Sequence, residues 1–171
     1  MFNKNIKLIL AFLIVAFAGY QFVEGEIGNG IALILLALIF VFLYFRNELI
    51  LLSFLRMRKQ DLEGTEKWLK KIRNPEAALT TKQQGYYNYL HGIIYSQKNL
   101  TQAEKYFRKA LKLGLNMDYD LAMAKLSLAG IAMQKRRKRE ATTLLKEAKK
   151  LDKNNMLGEQ IKMMQQQLKR I

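Results

Sequence analysis

Two features of this chain have side chains whose chemistry could be put to use: the single histidine, His91, and the run Lys135-Arg136-Arg137-Lys138-Arg139. A histidine can act as a general base or a metal ligand, but either task needs a second polar group within reach. The positions one helical turn from His91 hold Tyr87, Asn88, Ile94 and Tyr95, with no carboxylate. There is no cysteine, which excludes disulfides, thiolate zinc sites and cysteine nucleophiles, and one histidine excludes a multi-histidine metal cage. No phosphate-binding glycine loop or nucleophile elbow occurs. The chain therefore reads as a non-enzyme with no catalytic, cofactor or metal residues, no small-molecule substrate, and His91 as a packing residue. The five consecutive cations belong to another class. Such a run attracts an anionic partner, here an acidic protein or RNA. No aromatic pair on a sheet accompanies it, so base-specific RNA recognition is not expected.

The elements that must position these residues come from a repeated apolar pattern. Tyr87, Leu90, Ile94, Ala103, Phe107 and Ala110 form the skeleton of one helical hairpin. Leu128, Ala132, Ala141, Leu145 and Ala148 form a second, and both Leu90 to Leu128 and Ala103 to Ala141 are offsets of 38. Two landmarks sharing one offset identify an internal repeat. The pattern resembles the tetratricopeptide repeat, whose period is about 34 residues, with about four residues added between hairpins. The resemblance implies an all-α hairpin solenoid that presents a curved surface to another protein. Helical phase would turn Asn88, Tyr95, Met123 and Met133 toward the concave side, where aromatics and methionine suit a partner protein or peptide.

A weaker copy precedes these two. Leu51, Leu55, Gly64 and Trp68 match Leu90, Ile94, Ala103 and Phe107, with Gly64 expected to sit small at a helix crossing. Asn74-Pro75 is expected to stop its second helix. A final amphipathic helix at 155–171, with Leu157, Ile161, Met164, Leu168 and Ile171 on one stripe, is expected to cap the array.

The first third is different in kind. Residues 1–55 carry three basic and three acidic side chains, so the whole net charge of +15 lies in 56–171. Ile6 to Val23, interrupted only by Lys7 and Gln21, and Ile31 to Phe45, entirely apolar and extended by Leu49 to Leu55 after Arg46-Asn47-Glu48, are each long enough for a span of roughly 20 residues, here about 6–23 and 31–50. VEGEIGNG between them allows only a tight antiparallel hairpin. Lys4 and Lys7 before it and the basic region after it would place both termini in the cytoplasm and the acidic turn outside. Ala16-Phe17-Ala18 before Gly19 leaves open a secretory cleavage. With no proline or glycine from 31 to 63, the second run is expected to continue as one helix from Ile31 to Arg58, about 42 Å long, which would turn the Lys135–Arg139 loop away from the bilayer.

The expected architecture is thus all-α: a transmembrane hairpin (1–55, spans about 6–23 and 31–50), then a cytoplasmic repeat domain (56–171). The latter comprises a partial repeat at 46–73, repeats at 84–114 and 121–152, and the cap helix. It resembles small two-span, membrane-anchored repeat proteins of Bacteroidota-like bacteria, which implies an inner-membrane scaffold for protein–protein interaction. The alternatives are an accessory subunit of a larger inner-membrane complex, and electrostatic docking of RNA or ribosomes at the membrane.

Overall fold

A computed structural model describes residues 4–45 and 47–170, all of them in helices and their connections. The chain forms two compact units, Met1–Leu51 and Leu52–Ile171.

The first unit is a helical hairpin of α1 (Lys4–Val23) and α2 (Ile27–Phe45). Gly25 makes the turn with φ 81°, a left-handed conformation that only glycine adopts without strain. The seam between the helices is built of small residues, with Ala11, Ala18 and Ala37 all buried. A side chain on Gly30 would collide with the Phe22 ring at 2.7 Å, so the second helix closes onto the first at that point. Among the described residues no helix is long and apolar enough to cross a membrane. The two membrane spans expected at about 6–23 and 31–50 are therefore not supported by these helices.

The expectation of one helix from Ile31 to Arg58 is overturned. α2 ends at Phe45, and α3 (Glu48–Arg58) starts afresh after Asn47. The Asn47 side-chain oxygen accepts the Leu49 N–H at 3.0 Å, which gives one of the orphan donors of this helix start its partner. The inference that the Lys135–Arg139 loop points away from a bilayer rested on that continuity, and falls with it.

The second unit, which takes in α3 from Leu52 onward, stacks three hairpins: α3 with α4 (Leu62–Lys70), α6 (Thr81–Ser96) with α7 (Leu100–Leu113), and α8 (Asp118–Gln134) with α9 (Lys138–Leu151). The first helices end at Arg58, Ser96 and Gln134, and the second begin at Leu62, Leu100 and Lys138. Every one of those steps is 38 residues. The core keeps the same step. Thr65, Ala103 and Ala141 are buried in corresponding places, as are Leu69, Phe107 and Leu145, and then Ile72, Ala110 and Ala148.

This register corrects the alignment of the first hairpin by one residue. Leu51 and Leu55 are exposed, Trp68 is half-buried, and the small residue at the crossing is Thr65. Gly64 is small for a local reason: an added Cβ would lie 2.1 Å from the Asp61 carboxylate, which caps α4 by accepting the Gly64 N–H at 2.7 Å. Asn74-Pro75 begins an element that the sequence reading missed. α5 (Pro75–Ala78) is capped by Asn74, with proline at the first helical position, where its missing N–H costs nothing.

The last element, α10 (Gly158–Arg170), buries Leu157, Ile161 and Leu168 against Ala122, Leu126, Ala141 and Leu145, with Met164 half-buried beside them. Asp152 starts it by accepting the Met156 and Leu157 N–H groups. Ile171, assigned to the same stripe, lies outside the described residues.

Candidate functional site

The four residues expected on a concave surface do not form one site. Asn88 is buried and donates its amide to the Gln84 carbonyl at 2.7 Å. Tyr95 is half-buried and stacks on Tyr106 of its own hairpin, ring centres 5.2 Å apart. Met123 is half-buried against the core of the third hairpin, and Met133 is buried in it. Met133 does reach an open groove of about 380 Å³ between α8 and α10, lined by Gly130, Gln134, Met164, Gln167 and Arg170. Of the four, it alone borders this groove.

His91 sits one step of 38 from Ser53 and Ala129, where the neighbouring hairpins carry small side chains. The ring is accommodated by aromatic packing. It stacks on Tyr106 at 5.0 Å and meets Tyr87 edge-on at 4.5 Å. Neither ring nitrogen has a hydrogen-bond partner among the described residues. Burial disfavours the imidazolium and brings the His91 pKa down from 6.5 to about 4, against a smaller upward pull from Glu66. Among the described residues, no group of three His, Cys, Asp or Glu side chains could hold a metal ion.

The basic run divides into two functions. Arg137 makes a two-point pair with Glu104 of the preceding hairpin, Nη1 to Oε1 at 2.9 Å and Nη2 to Oε2 at 2.7 Å. Lys135 Nζ donates to the same carboxylate at 2.8 Å and to the Thr101 hydroxyl at 3.2 Å. Arg108 bridges Glu104 at 2.9 Å and also pairs with Glu140. The Arg137 guanidinium, then Lys135 and Arg108, hold the Glu104 carboxyl far below the ordinary carboxylate range. Arg136, Lys138 and Arg139 are exposed and make no ion pair among the described residues.

Glu104 has a counterpart one period back. Glu66 pairs with Lys70 at 3.0 Å on its own helix and with Lys98 of the next hairpin at 2.6 Å. Lys98 in turn lowers the Glu66 pKa, with Lys70 second. Glu66 to Glu104 and Lys70 to Arg108 are both steps of 38, so each hairpin fastens the turn of the next by one acid. The third hairpin carries Thr142 in that place. This fastening was missed in the sequence, although the recurring acid at the repeat period was its signal. A second tie joins the same hairpins at their other end. The Tyr86 hydroxyl donates to Asp120 at 2.7 Å and accepts the Asn116 N–H at 3.2 Å, and burial with the Asp120 contact raises its pKa to about 12.

Comparison with known proteins finds no matching family model, no matching curated protein and no matching solved structure.

Proposed function

We propose that this chain is a membrane-anchored scaffold: α1 and α2 embed in a lipid bilayer, and the stacked hairpins present a protein-binding surface in the cytoplasm. The membrane half rests on the surface of the α1–α2 pair rather than on the length and hydropathy of either helix. That pair is arranged inside out relative to a water-facing bundle. Alanine and glycine fill its seam, while Phe12, Leu13, Phe17, Leu35, Leu38 and Ile39 stand exposed. Among the described residues, all but five exposed large apolar side chains belong to the first unit; the exceptions are Leu55, Met117, Tyr119, Met156 and Met163. Water penalises such a surface, whereas lipid does not, and in lipid helices associate through small residues that let their backbones approach.

The scaffold half rests on the repeat. Three hairpins with one period, joined by repeated ion pairs, build an extended surface. The groove holding Met133 and Met164 is the place best suited to a partner segment, because methionine adapts to varied apolar shapes. Both ends of the chain would then lie in the cytoplasm with Glu24 and Glu26 outside, following the charge asymmetry.

Capture of the detergent-solubilised chain from cell extract, with and without nuclease, tests this reading. A scaffold retains a defined protein after nuclease treatment, and Gln167→Trp, which fills the groove from its exposed rim, releases it. Loss of all bound material on nuclease treatment would contradict the proposal and favour RNA docking.

A further inference from the structure

The outward face of the second helices carries positive charge in the period of the repeat. On α7, Lys105, Lys109 and Lys112 step four and three residues along one stripe, opposite the buried Ala103, Phe107 and Ala110. α9 buries Ala141, Leu145 and Ala148 and turns Arg139, Lys146 and Lys150 outward. α4 does the same with Lys67 and Lys70. The rows line up between hairpins: Lys67 with Lys105, Lys70 with Arg108 and Lys146, and Lys112 with Lys150, each at a step of 38.

Part of this charge is already engaged. Lys70 and Arg108 hold the glutamates that join the hairpins, Lys109 lies 3.6 Å from Glu76, and Glu147 on the face is paired with Lys125. Lys67, Lys105, Lys112, Arg139, Lys146 and Lys150 are exposed and have no ion-pair partner among the described residues. No large apolar or aromatic side chain is exposed on this face. That composition narrows the partner. Single-stranded nucleic acid is held largely by aromatic stacking, which this face cannot supply. Cationic faces without exposed aromatics suit the head groups of anionic lipids, to which each lysine or arginine near the surface adds attraction.

We infer that the outward face of α4, α7 and α9 docks on anionic lipid head groups. The inference rests on the proposed bilayer anchor, since a chain held in the bilayer by its first unit meets lipid head groups at high local concentration. Charge complementarity does the rest, and the contact is electrostatic without insertion.

The test uses the full chain reconstituted in vesicles of neutral phosphatidylcholine, or of the same lipid with about one third phosphatidylglycerol, and follows amine acylation by mass spectrometry. At low salt the anionic vesicles are expected to slow acylation of Lys105, Lys112 and Lys150 severalfold relative to neutral ones. Lys162 and Lys169 on α10 should change little, and high salt should abolish the difference, since screening shortens the reach of surface charge. The triple variant Lys105→Glu, Lys109→Glu, Lys112→Glu should restore the rate at Lys150. Equal rates in both vesicle types overturn the inference, as does shielding by added duplex RNA in neutral vesicles without shielding by anionic lipid. Flotation with the neutral vesicles reports the anchor separately: a chain that fails to float there, yet is shielded by anionic vesicles, refutes the anchor and keeps the docking face.

Discussion

Arg137 and Glu104 meet as a parallel two-point pair across the junction of the second and third hairpins, at 2.9 and 2.7 Å. Arg137 stands at the helix-start position where Asp61 and Asn99 serve the other two hairpins as side-chain caps. An arginine has no acceptor and cannot cap. The place is instead used to bind the preceding repeat.

Removing Glu104 should therefore loosen the junction. Glu104→Ala leaves Arg137, Lys135 and Arg108 without their shared acid, and a loss of roughly 1–2 kcal/mol is expected after allowing for the solvent exposure of the cations. Glu66→Ala, whose partners are more exposed, should cost under about 1 kcal/mol. Urea titration of the full chain in detergent checks the order; equal losses would show that the two-point geometry adds nothing.

Acid should destabilise the repeat unit in two windows. The folded pKa of His91 is depressed to about 4, so its stabilising effect is complete above 6.5 and is lost as pH falls from there toward 4. The unfolded chain takes up the proton first, and the loss reaches at most about 3 kcal/mol. Glu104 is also depressed, so its contribution is complete above its ordinary value of 4.5 and fades below that pH. His91→Phe, which keeps the stack on Tyr106, should flatten the upper window alone. A variant with the wild-type slope between pH 6.5 and 4.5 would show that another group titrates there.

Two glycines at one register should respond with opposite sign. A Cβ on Gly92 would lie 2.8 Å from the Phe107 ring, whereas on Gly130 it meets only the end of the Met164 side chain at 3.4 Å. Gly92→Ala is expected to overpack and cost roughly 1–3 kcal/mol. Gly130→Ala should gain about 0.5–1 kcal/mol, because alanine restricts the unfolded chain and favours helix. Melting temperatures that move in the same direction would overturn the placement of one of them.

Crossing positions give a further check on register. Ala103→Leu and Ala141→Leu should each cost roughly 1–3 kcal/mol, while Gln102→Leu, on an exposed site, should be nearly neutral.

The second and third hairpins were legible in the sequence because Leu90, Ala103 and Phe107 recur at the same step with apolar character intact. The first hairpin was misaligned by one residue because its crossing residue is Thr65, a polar side chain whose hydroxyl is satisfied by the Asp61 carbonyl at 2.7 Å. Gly64, beside it, looked like the small residue that the pattern demanded. The fresh helix start at Glu48 was not legible, since neither proline nor glycine marks it and Asn47 acts through a single side-chain cap. In the basic run, five adjacent cations looked equivalent. Only the fold separates Lys135 and Arg137, which face Glu104, from Arg136, Lys138 and Arg139.

Most direct for the central claim is a depth measurement on the α1–α2 hairpin in vesicles. Single cysteines at Leu13 and Leu35, both outward-facing, would carry a fluorophore, with Met163 as the repeat-unit control. Bromine on the lipid tails should quench the labels at 13 and 35 strongly and the label at 163 little, with aqueous iodide showing the reverse order. Iodide quenching at 13 and 35 as strong as at 163 would contradict a bilayer anchor.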